Sequence, residues 1–271
     1  MNIRKLSRRG FRVPVYALAV SLSLALFFSG AMPVAADEKL EATQLVEKAQ
    51  MTLQSFMCDG NMGAFRDLLK KAEGVLIVPN LIKGAWIIGA SGGSGVLLVK
   101  DKMTGGWSEP AFYTLGSVSL GLQIGGQSSE VILLAMSNRG VTSFLSNSLK
   151  LGADVGAAAG PVGLGASAAT ANLSAGILSF ARSKGLYGGV SLDGAVVATR
   201  EGLNAAYYGK KVSPADILIR HEARNPQSRE LTQTASRSIA KDAETLLGCV
   251  REGKLRERYG AVSPALHFPG I

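Results

Sequence analysis

The residues most suggestive of catalysis are Gly89-Ala90-Ser91-Gly92-Gly93, which fit the pattern G-x-S-x-G. In that pattern a serine nucleophile stands on a strand-to-helix turn and needs a histidine base and a carboxylate beside it. The chain holds two histidines, His221 and His267, both in its C-terminal part. Both flanks of Ser91 read as strands, so the segment is expected to be a flexible glycine loop between strands. The same glycines do not make a phosphate loop, because no G-K-[ST] follows and no helix begins there. Two distant histidines and two distant cysteines, Cys58 and Cys249, offer no zinc spacing. The carboxylates are scattered. No metal and no cofactor are expected, and the chain reads as a protein that is not an enzyme.

Elements come next, beginning with an export signal. Arg4, Lys5, Arg8, Arg9 and Arg12 precede the apolar stretch 13–28, and Val34-Ala35-Ala36 forms a small-residue cleavage site ahead of Asp37. Ser7-Arg8-Arg9-Gly10-Phe11 is similar to a bacterial twin-arginine signal, and an ordinary Sec signal with adjacent arginines is the alternative. Residues 1–36 are therefore expected to be cleaved, leaving a periplasmic or otherwise exported chain. No cysteine stands where a lipoprotein signal needs one. The full sequence carries +9; five cations leave with the signal, so the remaining 235 residues carry +4. That mild balance permits affinity for an anionic membrane surface. With no basic-aromatic module, nucleic acid is not an expected partner. In an oxidising compartment Cys58 and Cys249 are either disulfide-bonded or two buried thiols.

The mature part reads as a single domain over 37–252 with a loose tail, 253–271. Leu45, Val46, Ala49, Leu53 and Phe56 recur at helical spacing within 37–57, and a second short helix carries Phe65, Leu68 and Leu69 on one face. Helices thus fill 37–73. Strands follow over 74–200: Val75–Val78 closed by Pro79-Asn80, then 85–88, 96–100, 117–124, 131–135 and 192–199. Within 117–124 the alternation of Val118, Leu120, Leu122 and Ile124 with small or polar residues predicts one buried face. Val131–Ala135 is apolar on both faces, so it should be covered on both. A short helix is expected at 141–147. The Gly- and Ala-rich segment 150–200 suits strands in a sharply curved sheet, where glycines allow bends and bulges. Ser213-Pro214-Ala215-Asp216 is a helix cap, and Leu231, Ala235, Ile239, Ala243, Leu246 and Val250 mark a last helix, so helices fill 213–252. The fold class is α+β: a Gly-rich, strongly curved antiparallel sheet or partial barrel between N- and C-terminal helices.

Several ordered motifs carry a resemblance. Ala72-Glu73-Gly74-Val75-Leu76-Ile77-Val78-Pro79, Gly92-Gly93-Ser94-Gly95-Val96-Leu97, Trp107-Ser108-Glu109-Pro110, Gly121-Leu122-Gln123-Ile124-Gly125, Gly160-Pro161-Val162-Gly163 and the run 183–194 resemble the SYLF domain, over roughly residues 65–208. The resemblance implies a phospholipid-binding domain; eukaryotic members bind phosphoinositides through an amphipathic N-terminal helix and serve actin regulation. Here segment 37–57 starts acidic, unlike a basic membrane-binding helix, and an exported chain would meet neither phosphoinositides nor actin. What transfers is recognition of an anionic phospholipid.

Three groups of residues are candidate lipid contacts. Lys83 and Trp86 lie in what reads as an apolar loop, 81–86, a cation beside an aromatic as at a bilayer interface; otherwise they are a solvated lysine and a core tryptophan. Arg182 and Lys184 flank Ser183 and could meet a phosphate, or mark a solvated turn. Lys210 and Lys211 form a basic run after Tyr207-Tyr208-Gly209, or a solvated pair. A cation near an anionic surface contributes on the order of 1 kcal/mol. The leading expectation is a non-enzymatic phospholipid-binding protein of the bacterial envelope. An envelope structural or protein-interaction module is the alternative, and a hydrolase using Ser91 is third.

Overall fold

The computed structural model describes residues 34–85, 88–120, 125–163, 175–183, 186–189 and 192–237. Residues 1–33 of the expected signal, Trp86, residues 121–124, Lys184, Cys249, His267 and everything after 237 lie outside the described residues. The chain divides into two compact units, Met1–Asp37 and Glu38–Ile271.

The fold is α+β. Helix α1 runs Val34–Cys58 and α2 Gly63–Lys71. Asp59 ends the first helix in extended backbone, its carboxylate accepting the amide of Asn61. Arg66 donates to the carbonyls of Met57 (3.1 Å) and Asp59 (2.7 Å), satisfying groups that a helix end leaves free. The strands are β1 Gly74–Ala85, β2 Ile88–Val99, β3 Ala111–Leu120, β4 Gly125–Ala135, β5 Ser148–Lys150, β6 Ala157–Ala159, β7 Ile177–Ser183, β8 Leu186–Gly189 and β9 Val196–Thr199. Helix α3 is Asn138–Phe144, α4 Glu201–Tyr208, α5 Pro214–Leu218 and α6 Arg229–Arg237. Ser213 and Asp216 form the expected capping box before α5.

Nine strands make one sheet in the order β5-β9-β3-β2-β1-β4-β7-β6, with β8 also on β7, and the sheet curls into a half-barrel. It is antiparallel except where β6 meets β7 in parallel, a departure from the all-antiparallel expectation. After β4 the chain passes through α3 to β5 at one end of that order and then to β6 at the other, on the side of β7 away from β4.

Both faces of the sheet are covered. Along β2, Val96 and Leu98 pack with α1, α2, α4 and α6, while Leu97 and Val99 pack on the other face with α3 and α5. Alternate strand residues point to opposite faces, so a strand apolar at every position needs cover on both. Val131–Ala135 behaves as expected, all five residues being buried. On the α1 face Phe65 stacks against Phe56 (5.6 Å between centroids) and edge-on against Phe180 (5.2 Å). Such pairs contribute about 0.5–1.5 kcal/mol beyond burial.

Two strand expectations need correction. Strand β1 does not stop at Pro79-Asn80 but passes through it to Ala85, and residues 81–85 are strand, not loop. Its register slips by one residue against both neighbours, between Ile77 and Ile82 on one side and Val78 and Leu81 on the other. Proline cannot donate to a ladder, so in a central strand it is confined to such a bulge. Likewise Gly89–Gly93 is strand, in continuous register with Ser119 back to Leu115. Its glycines receive the bulge: a Cβ built at Gly93 would lie 2.4 Å from the Asn80 carbonyl oxygen, and one at Gly95 would lie 2.6 Å from that of Ile77. Smaller shifts move the helix expected at 141–147 to 138–144 and the strand expected at 192–199 to 196–199. The C-terminal helix is described only to Arg237.

The bulge predicts a sharp contrast between two glycines. Gly95→Ala should lower stability by about 1–3 kcal/mol, because the nearest obstructing atom is a backbone carbonyl, with the Val78 Cγ2 methyl beside it at 2.7 Å. Gly84→Ala, with nothing within 4 Å of the new methyl, should be neutral or mildly stabilising. Urea midpoints of the two variants check this.

Candidate functional site

The bulge decides what the outer end of the central strands displays. An extra residue in one strand reverses its alternation beyond that point. Leu81 therefore stays on the face of Leu76 and Val78 and is buried, while Ile82 turns to the α1 face, where it is 58 % exposed. Ile82 pairs with Gly92, Gly92 with Gly116, and Gly116 with Val196. One step outward, Gly84 pairs with Ala90 and Ala90 with Val118. Val118 is 76 % exposed and Val196 41 %. Val118 had been expected on a buried face; it extends past the helices that cover the strand's inner part. Three large apolar side chains thus stand on one bare sheet face over a floor of glycine and alanine.

The opposite face of the same strands is polar. Ser91 and Ser117 share a hydrogen bond of 2.8 Å, and Gln127 donates to Ser183 at 2.5 Å. Lys83, half-buried, lies on this side, in register with Ser91 and Gln127. It forms no ion pair among the described residues.

Helix α1 bounds the bare face. On one flank it is tied to the C-terminal segment, Thr43 donating to Gln227 (3.1 Å) and Gln50 to Thr234 (3.4 Å). On the other, Arg200 donates to Glu41 at 2.5 Å and to Ser94 at 2.8 Å. Further along, Arg182 pairs with Glu130 from the neighbouring strand and donates to Ser55. Two arginines on the sheet therefore hold the two ends of one helix.

The sequence candidates fall in different places. Lys83 is on the outer end of β1; Arg182 is engaged with Glu130 and Ser55. Lys210 donates to the Glu222 carbonyl at 2.8 Å, and Lys211 is exposed. Trp86 and Lys184 lie outside the described residues. Ser91 faces Ser117, not a histidine. Burial holds the Tyr207 and Tyr208 hydroxyls well above the ordinary phenol range, and the Glu109 carboxylate adds to this. No group of three or more metal-ligating side chains occurs among the described residues. Ile82, Val118 and Val196 were not singled out from the sequence; the proline inside a β-rich run was the only signal that the strand might change face.

Residues 116–238 match the family model described as Ysc84: Las17-binding protein actin regulator. Over that stretch, a little under half of the chain, it matches the SYLF family. The match begins later and ends later than the resemblance over 65–208, reaching into α6. Among known proteins, it is 30% identical to SH3 domain-containing YSC84-like protein 1 of Homo sapiens over 166 residues, which is 60% of this chain and 48% of that protein. It is 31% identical to LAS seventeen-binding protein 3 of Saccharomyces cerevisiae over 157 residues, covering 56% and 34%, and 30% identical to Protein YSC84 of the same yeast over 182 residues, covering 64% and 38%. The chain thus spans about half or less of the length of the curated relatives it matches.

Two outcomes follow. Arg182→Ala should cost about 1–3 kcal/mol in denaturant unfolding, the range for hydrogen bonds to charged groups. Its effect on any membrane association should vanish once folded fractions are matched. Cys58 is disulfide-bonded, and the chain has one other cysteine, Cys249. A bond between them would close a loop of nearly the whole domain, about 5 kcal/mol in the chain-entropy account. Thiol titration of unfolded, unreduced protein should then find no free thiol, and Cys249→Ser should expose one and lower the unfolding midpoint.

Proposed function

We propose that this SYLF domain is a non-enzymatic protein of the bacterial envelope that binds anionic phospholipid surfaces through the outer end of β1–β4. One observation carries the reading: Ile82, Val118 and Val196 stand exposed on one sheet face, with the exposed Lys150 paired beside Val196 and Lys83 on the opposite face of the same strand end. Burying a large aliphatic side chain fully contributes about 1.5–3 kcal/mol, and these are already partly covered. Lys83 near an anionic surface adds about 1 kcal/mol. The sum suits reversible, salt-sensitive attachment. Lys211 is a further exposed cation, whereas Arg182 is held by Glu130 and plays a structural part. Export, through the signal read in residues 1–36, belongs to the same proposal.

A protein partner is the second reading, favoured by the names of the relatives, two of which are called Las17- or SH3-related. An uncovered sheet face also suits a protein surface. Flotation of the purified protein with neutral and anionic vesicles, at low and high salt, separates the two. Anionic vesicles should carry the protein, high salt should weaken this, Lys83→Glu should weaken it about fivefold or more, and Ile82→Asp with Val118→Asp should abolish it. If neither vesicle type carries the folded protein, the lipid reading fails and the protein-partner reading takes its place.

A further inference from the structure

At the other end of β1 and β2, away from the bare face, a cleft of about 220 Å³ lies between the start of β1, the end of β2, α3 and the end of α5. Its base is apolar, formed by Val141, Leu145, Leu218 and Ile219, the last 49 % exposed. Its rim is polar. Lys102 donates to the Asn138 side-chain oxygen at 2.7 Å and lies 3.5 Å from Glu73. Asp101 is occupied by its own turn, accepting from the Met103 amide (2.8 Å) and the Thr104 hydroxyl (2.7 Å). Those two bonds hold its carboxyl below the ordinary range, so it stays charged. Lys100 is anchored on the Lys70 carbonyl at 3.0 Å.

His221 stands apart from this network. Its Nε2 lies 3.9 Å from Asp101, too far for a hydrogen bond. Its backbone has φ of 56°, the one positive value at a residue other than glycine among the described residues. Strained backbone of this kind persists where surrounding structure holds it, and such residues cluster at ligand sites. Here it places an imidazole free of hydrogen bonds at the rim of the cleft.

We propose that this cleft binds a small apolar group carrying one carboxylate, with the aliphatic part on the Leu145, Leu218 and Ile219 base and the carboxylate between Lys102, His221 and the Asn138 amide. The charge on the rim argues for a single negative charge. Lys100 and Lys102 are balanced by Glu73 and Asp101, and on the histidine's own segment Arg220 is paired with Asp216 at 2.5 Å, leaving Glu222 exposed. A dianion would be repelled by the two carboxylates, whereas a monoanion can accept from the Lys102 ammonium, an imidazole N–H and the Asn138 amide. A free organic acid and the C-terminus of a peptide ending in an aliphatic residue share this chemistry.

The test follows the His221 imidazole signals by NMR in the full chain, assigned with His221→Asn, since asparagine tolerates left-handed backbone. The probes are isocaproate, its neutral amide, and an acetylated tripeptide ending in leucine. Isocaproate should shift the His221 signals saturably. The amide should not bind. His221→Asn and Lys102→Met should each weaken binding, and Ile219→Asp, at an exposed position, should abolish it. Tighter binding of the tripeptide assigns the ligand to protein C-termini, and its exclusion assigns free acids. Equal binding of acid and amide, unshifted His221 signals, or full binding to both His221→Asn and Lys102→Met overturns the proposal. Variants at Ile82 and Val118 should leave this binding unchanged, so its fate is independent of the lipid reading.

Discussion

One extra residue in β1 governs how the rest of the sheet is used. A sheet strand alternates faces without choice, and only an inserted residue reverses the alternation. Before Pro79-Asn80, β1 supplies Val75 and Ile77 to one core and Leu76 and Val78 to the other. After it, Leu81 closes the second core, and Ile82 turns outward on the α1 face. The displaced carbonyls of Ile77 and Asn80 need room that only glycine leaves, and Gly93 and Gly95 provide it on β2. Glycines that mimic a nucleophile elbow in sequence are thus the receiving surface of a bulge.

Because β1–β4 are apolar on both faces along their inner halves, the domain needs two layers of helices rather than one. The α1 layer is the larger, and polar contacts hold it in place. Arg200 and Arg182 reach from the sheet to Glu41 and Ser55 on the helix. Glu130 keeps the Arg182 guanidinium from being an isolated charge at a half-buried position, where an unpaired ion is costly. The same pairing removes Arg182 from the set of cations available to a phosphate. A positive residue in a conspicuous motif is therefore a structural strut here, and the exposed features lie elsewhere.

The two ends of the central strands then differ in character. The outer end extends past its helices and shows aliphatic side chains on one face and polar ones on the other. The inner end is closed by α3 and α5, whose junction with the β2–β3 turn leaves a cleft with an apolar base and a balanced polar rim.

Much of this was legible in the amino-acid order. Local patterns fix local structure: helical spacing in α1 and α2, the Ser213–Asp216 cap, the double-sided apolar run at Val131–Ala135, and the α+β class are properties of neighbours within a few residues. The motifs that resemble the SYLF domain belong with them. What the sequence could not specify was anything set by register between distant segments. Whether Val118 faces a core or solvent depends on how far α1 reaches across the sheet. Whether Arg182 is free depends on Glu130 arriving beside it on β4. Whether His221 meets Asp101 depends on a turn more than a hundred residues earlier. Side-chain periodicity determines which residues share a face, but which face is covered, and by what charge, is decided only when strands far apart in the chain pair.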